Sequence, residues 1–228
     1  ALDAEDKMGA TIKLALIGAI AAPKSMPPVY VQSLFDEYAP KFERTLVEEL
    51  AYRAPELMAE EIIKLHPQSF DHVLDLGCGT GLAAQLFKGR AKFMTGVDLA
   101  PVMIEHARAK NIYTDLHVSG LMEFLATDIN HYDLALCADV FVYIGALEGV
   151  FQEIAAHMNM GGLFSFSIQK LDRGTWALGA DHRYAQSEQY IEHCAQLAGM
   201  NILVAKNIPL RLDAGKFIAG MIFVCRKL

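Results

Sequence analysis

The segment VLDLGCGTGL, from Val73 to Leu82, constrains the fold more than any other stretch of the chain. Val73 to Leu76 is short, aliphatic and stopped by glycine, which reads as a buried strand entering a turn. Gly77, Gly79 and Gly81 then follow at every second position. Glycines in such a turn let the backbone approach a ligand closely, because no Cβ intervenes and positive φ costs little. One acid, Asp75, stands inside the apolar run just before them. Chemistry is therefore expected at this turn.

The rest of the chain supplies neighbours for that strand. Strand-like runs (HVLDLG, FMTGVDL, LHVSG, YDLALCADVFVYI, GGLFSFSI, NILVAKNIPLRL, GMIFVCRKL) alternate with GLAAQLFKGR, PVMIEHARAK, LEGVFQEIAAHMNM and SEQYIEHCAQLAGM, whose apolar residues have helical spacing. The alternation predicts a doubly wound, mostly parallel α/β sheet with helices on both faces. Only a turn around DAGK separates the last two runs, so they should form an antiparallel hairpin. Upstream, the stretch from Val31 to Pro67 reads as two or three amphipathic helices interrupted at Pro40 and Pro55. The expected organisation is an N-terminal helical extension over residues 1–60 and a ligand-binding domain over 61–228. Near the start, LALIGAIAAP reads as a helix stopped by KSMPP; its flanks carry mixed charge and it is too short to span a bilayer.

Composition narrows the partners. A formal charge of −7 opposes a general electrostatic grip on nucleic acid and leaves a small molecule or a protein as partner. The four cysteines, Cys78, Cys137, Cys194 and Cys225, are far apart and fit no zinc spacing. They read as reduced thiols of a cytoplasmic protein without a metal centre.

Two ligand classes compete for the glycine turn. A dinucleotide asks for G-x-G-x-x-G, whereas Leu82 occupies the third glycine position here. A carboxylate at Asp75 would repel a pyrophosphate but attract an ammonium group. S-adenosylmethionine has no phosphate and carries both an ammonium and a sulfonium. Asp98, in GVDLAP, stands where an acid can accept hydrogen bonds from both hydroxyls of a ribose, and either ligand would use it.

The combination of D-x-G-x-G-x-G with GVDLAPVMIEHAR resembles the class I S-adenosylmethionine-dependent methyltransferases, from Val73 to the C-terminus. That resemblance implies a Rossmann-like, seven-stranded sheet whose last strand is antiparallel. LFDEYAPKFERTLVEELAYRAPELM and CADVFVYIGALEGVF further resemble predicted bacterial methyltransferases fused behind tetratricopeptide repeats, with the helix before MPP as a repeat remnant. Carried over, the resemblance assigns Asp75, Gly77, Cys78, Gly79 and Gly81 to the methionine part of the cofactor and Asp98 to the ribose. Leu99 and Met103 would flank the adenine. Gly120 stands where family members commonly place an acid for the adenine amine; Glu123, or the backbone of Leu121 and Met122, would substitute. Asp139 matches the position facing the sulfonium and the acceptor, the alternative being a helix N-cap. The remaining candidates each have two readings. Tyr38, with Phe42 four residues on, is a lid residue or core packing. Arg53 pairs with the cofactor carboxylate or with a surface acid. Phe141 and Tyr143 line the acceptor pocket or pack. His182 is a general base or a solvated loop residue. The implied activity is methyl transfer to a small molecule, oxygen being favoured over nitrogen or carbon. The rival readings are a non-methylating binding protein and a nicotinamide-dependent oxidoreductase.

Overall fold

The computed structural model describes residues 5–38, 52–213 and 215–228, without the side chains of Glu37, Tyr38, Asp213 and Lys216. Phe42 and Pro40 lie outside the described residues. The helices are α1 (Ala10–Leu16), α2 (Pro28–Tyr38), α3 (Ala54–Leu65), α4 (Leu82–Gln85), α5 (Pro101–Ala109), α6 (Leu121–Leu125), α7 (Glu148–Ala156) and α8 (Glu188–Leu197). The strands are β1 (Phe70–Leu76), β2 (Ala91–Asp98), β3 (Asp115–Val118), β4 (Tyr132–Cys137), β5 (Met158–Leu171), β6 (Trp176–Leu178), β7 (Tyr184–Ser187), β8 (Met200–Asp213) and β9 (Lys216–Lys227).

β1 pairs in parallel with β2 on one side and β4 on the other, and the sheet extends through β3 beyond β2 and β5 beyond β4. β9 runs antiparallel along the far edge of β5, and β8 closes that side as the partner strand of the β8–β9 hairpin. This is the expected doubly wound sheet with an antiparallel last strand. Its burial explains the sequence: β4 is nearly all buried, as a strand covered on both faces must be.

Two short strands, β6 and β7, extend the sheet beyond the expected set. Gln169 of β5 pairs with Gly220 on one edge and with Ala185 of β7 on the other, whereas β4 stops opposite Phe166. The β6–β7 hairpin therefore lies past the carboxyl end of β4. A three-residue strand such as WAL carries too little alternation to be read from sequence.

Each face has its own core. On one, Phe141, Phe151, Phe164, Phe166 and Phe223 pack against residues of α7 and α8. On the other, Met58 and Ile62 of α3 cover Val73, Leu134, Leu163 and Ile222, each buried side chain contributing roughly 1.5–3 kcal/mol. α3 spans residue 60 and packs in this core.

The first helix is shorter than its sequence suggested. Gly18 adopts φ 75 and its N–H donates to Ala15 O, while Ala19 N–H donates to Leu14 O, which ends α1 well before KSMPP. The chain then crosses to residues 143–146. Met26 N–H donates to Tyr143 O at 2.9 Å, and Gly145 and Ala146 N–H both donate to Lys24 O. The Tyr184 hydroxyl donates to Pro23 O at 2.7 Å. Ile12, Met26 and Val31 form a separate cluster with Val142, Tyr143 and Tyr184. Among the described residues, no helix is long and apolar enough to cross a membrane.

Candidate active site

A cavity of about 1040 Å³ opens at the carboxyl ends of β1, β2 and β4, beneath the strap of residues 24–26 and the β6–β7 hairpin. The strand order reverses direction between β1 and β4, the place where open α/β sheets bind ligands.

The glycine turn forms its floor. Gly77, Gly79 and Gly81 all have positive φ, at 68, 53 and 89. At Gly77 an added Cβ would also collide with the Val140 side chain, so both conformation and space demand glycine. Gly77 and Cys78 N–H both donate to Val97 O, which fixes the turn on the end of β2. Asp98 reinforces this: Oδ2 accepts from Gly79 N–H at 2.8 Å and Oδ1 from Ala100 N–H at 2.9 Å. Each oxygen retains a further lone pair for a ligand hydroxyl. Burial raises the Asp98 pKa, against the pull of these N–H groups.

Asp75 is 1% exposed, and its Oδ2 accepts from the Tyr113 hydroxyl at 2.7 Å. Burial pushes its pKa to about 7, the Tyr113 hydrogen bond opposing and the nearby Asp98 adding to the rise. Burial also pushes the Cys78 thiol far above its usual range, so it stays protonated. Leu99, Gly120, Leu121 and Met122 line the wall beyond Asp98. Glu123 lines it too, but its Oε2 accepts from Gly120 N–H at 3.3 Å and so caps its own helix.

The opposite end is a cluster of charges. Asp139 adopts φ 58 and its N–H donates to Ser167 Oγ at 2.9 Å. A left-handed aspartate held this way is not the N-cap of the following 3-10 turn, which begins after Val140. Its Oδ1 lies 3.8 Å from Nη1 of Arg211, a residue 5% exposed. Arg211 Nη2 donates to Gln169 Oε1 at 3.1 Å and lies 3.7 Å from Asp181 Oδ2. Arg183 donates to the Tyr143 hydroxyl and stands 4.9 Å over the same ring. Burial raises the Asp139 pKa, and the two arginines, Arg211 first, pull it back.

Of the residues singled out from sequence, Asp75, Gly77, Cys78, Gly79, Asp98, Leu99, Gly120, Leu121, Met122, Asp139 and Tyr143 all line this cavity. Gly81 sits behind the wall, packed beside Tyr113. Met103 does not reach the cavity: it is fully buried with Ala100 against Phe35, on the inner face of α5. Arg53 is exposed at the start of α3 and does not line the cavity. Phe141 is in the aromatic core. The Tyr38 side chain and Phe42 lie outside the described residues. His182 is held in the β6–β7 turn with φ 57, its N–H donating to Gly179 O, and does not line the cavity; the adjacent Arg183 does. Tyr113, Trp176 and Arg211 were not singled out from sequence. Arg211 had a readable signal, a charge between two leucines of an apolar strand.

Comparison with known proteins agrees with this geometry. Residues 73–162 match the family model described as a methyltransferase domain. A ubiquinone biosynthesis O-methyltransferase of Coxiella burnetii is 27% identical over 100 residues, covering 42% of this chain and 42% of that protein. An S-adenosylmethionine-dependent methyltransferase structure from Clostridium acetobutylicum superposes with a TM-score of 0.63 at 17% identity, covering 85% of this chain and 99% of that one. The chain has the S-adenosylmethionine-dependent methyltransferase fold. The N-methyltransferase NodS from Bradyrhizobium japonicum, crystallised with S-adenosylhomocysteine, shares that methyltransferase fold at a TM-score of 0.66 and 13% identity, covering 86% of this chain and 97% of NodS. The chain spans less than half the length of the curated methyltransferase it matches.

Proposed function

We propose that this chain transfers the methyl group of S-adenosylmethionine to a small-molecule acceptor, with oxygen as the acceptor atom. One observation carries the reading: a buried carboxylate, Asp75, and a half-buried one, Asp98, flank a glycine turn in a cavity wall. Such a floor repels phosphate and suits a ligand that presents an ammonium and a ribose. Gly77, Cys78 and Gly79 line the cavity, so the methionine part would meet the backbone of the turn directly. Asp98 would hold the ribose hydroxyls, and Leu99 with Gly120 to Met122 the adenine. When bound, the cofactor supplies a methyl carbon already activated by its sulfonium.

The chain's own residues then have three tasks: to align the acceptor, to exclude water and to receive a proton. The cavity, at about 1040 Å³, reaches from the glycine turn to Asp139 and Arg211, and the acceptor is proposed as a second occupant at that far end. Val31, Phe35, Tyr143 and Trp176 offer that occupant apolar and aromatic walls. Asp139, in the lining of the same cavity, is the group that would take the proton. The names of similar proteins divide between O- and N-methyltransferases, so they do not choose the acceptor atom. The link to tetratricopeptide-fused methyltransferases is proposed on the sequence motifs alone.

The test is calorimetry with S-adenosylmethionine, S-adenosylhomocysteine and NAD. The two adenosyl ligands should bind with micromolar affinity and NAD should not compete; tighter binding of NAD would overturn the proposal in favour of an oxidoreductase.

A further inference from the structure

Asp139 Oδ1 and Arg211 Nη1 are both buried and have no hydrogen-bond partner among the described residues. They lie 3.8 Å apart and both residues line the cavity. That separation is too long for a hydrogen bond between them, and one group hydrogen-bonded to each would satisfy both. The group placed there must accept from the guanidinium and donate to the carboxylate.

We infer that the acceptor is a neutral hydroxyl compound, an alcohol, phenol or enol, whose reacting oxygen is read by Arg211 and Asp139 together. The inference rests on the methyltransfer reading above and deepens it. A hydroxyl oxygen has two lone pairs: one accepts from Arg211, the other attacks, and the O–H donates to Asp139. A neutral amine has a single lone pair, which cannot both accept from the guanidinium and attack. A carboxylate has no hydrogen for Asp139. The local charges make the same choice. Asp139 and Asp181 already balance Arg183 and Arg211, so an added buried ion would be left uncompensated.

In the step itself the oxygen's free lone pair forms the new bond to the methyl carbon. The carbon–sulfur bond breaks, its electron pair stays with sulfur, and the hydroxyl proton passes to Asp139, which releases it to solvent. Arg211 acts before and during this step by holding the oxygen and the negative charge that builds on it as its proton moves to Asp139. Burial makes Asp139 a stronger base than an ordinary carboxylate, in keeping with that task.

The experiment titrates 1-naphthol, 1-methoxynaphthalene, 1-naphthylamine and 1-naphthoate separately into protein saturated with S-adenosylhomocysteine. 1-Naphthol should bind at least about tenfold more tightly than the other three, because a site built around a hydroxyl rejects analogues that leave its buried groups unpaired. In Arg211→Met that margin should fall to about twofold or less. In Asp139→Asn the amide oxygen still accepts, so the margin should persist while methyl transfer from labelled cofactor to naphthol drops about a hundredfold. Should Arg211→Met lose S-adenosylhomocysteine binding, the wild-type ranking alone decides. Tightest binding of 1-naphthoate would overturn the inference in favour of an anion site. Equal binding of all four, or none, in protein that binds S-adenosylhomocysteine would remove the pair from acceptor recognition. Failure to bind S-adenosylhomocysteine at all strikes the cofactor reading, before any naphthalene is added, and takes this inference with it.

Discussion

The Tyr113 hydroxyl donates to Asp75 Oδ2 across 2.7 Å, joining the loop before β3 to the buried acid of β1. The bond stabilises the ionised carboxylate, which burial disfavours and which would face the cofactor ammonium. Tyr113→Phe should therefore raise the Asp75 pKa further. Cofactor binding should tighten as pH rises through the titration of Asp75, and in the variant that midpoint should move up by about one unit. S-adenosylhomocysteine titrations between pH 6 and 9 measure it; an unmoved midpoint would detach Asp75 from the ammonium.

Asp75 also links stability to pH. Its folded pKa of about 7 lies above the ordinary 3.8. Between those values the folded chain keeps a proton that the unfolded chain has released, so the stability this group contributes is full below about 4 and is lost as pH rises through about 7. Asp75→Asn never ionises. At pH 8 it should resist urea better than the wild type by about 1–3 kcal/mol, an advantage that shrinks towards pH 4, while binding S-adenosylhomocysteine more weakly. Equal urea midpoints at pH 8 would show that the carboxylate carries no such strain.

Asp98 has two tasks, and its replacement should reveal both. Besides facing the cavity, it ties Gly79 and Ala100 N–H to the end of β2. Asp98→Ala should weaken S-adenosylhomocysteine binding at least about tenfold and also cost roughly 1–3 kcal/mol of stability, since two backbone donors lose a charged acceptor. Sequence alone gave reason to expect only the first effect. An unchanged urea midpoint would show that the turn holds without the carboxylate.

Gly77 gives the sharpest steric test. Its φ of 68 and the nearby Val140 side chain both oppose a Cβ. Gly77→Ala should lose about 2 kcal/mol or more. Adding Val140→Ala should restore the steric part and leave the backbone penalty of about 1 kcal/mol. No recovery in the double variant would assign the whole loss to φ.

How much of this was legible in the chain depends on range. The glycine turn, Asp98 and the alternation of strands and helices are local patterns, and they located the floor of the cavity. Asp139 was legible because it directly follows an apolar strand. The partners that give these residues their chemistry come from far away in sequence: Tyr113 reaches Asp75 across 38 positions, and Arg183 reaches Tyr143 across 40. Neither pairing leaves a periodic trace. His182 shows the opposite failure, a plausible residue type in the right turn, displaced by one position from the side chain that enters the cavity. Met103 shows a third, an apolar residue whose helical face decides between cofactor and core, and here the core takes it.

Removing the strap should separate water exclusion from folding. Neither sheet-face core contains a side chain from residues 5–26, whereas Met26 and Ile12 pack on Tyr143 and Tyr184 at the cavity mouth. Removing residues 1–26 should therefore leave the sheet folded and S-adenosylhomocysteine bound, with weakened affinity, while abolishing acceptor binding and methyl transfer. A gentler version is Tyr184→Phe, which deletes only the hydroxyl that donates to Pro23 O. Loss of about 1 kcal/mol at that tie should speed hydrogen exchange at the Met26, Gly145 and Ala146 amides about fivefold, with the β4 and β5 amides unchanged. Uniform acceleration across the sheet would make the strap part of the global fold. Full methyl transfer by the truncated chain would move the lid elsewhere, and unchanged exchange in Tyr184→Phe would leave the strap held by its backbone hydrogen bonds to residues 143–146 alone.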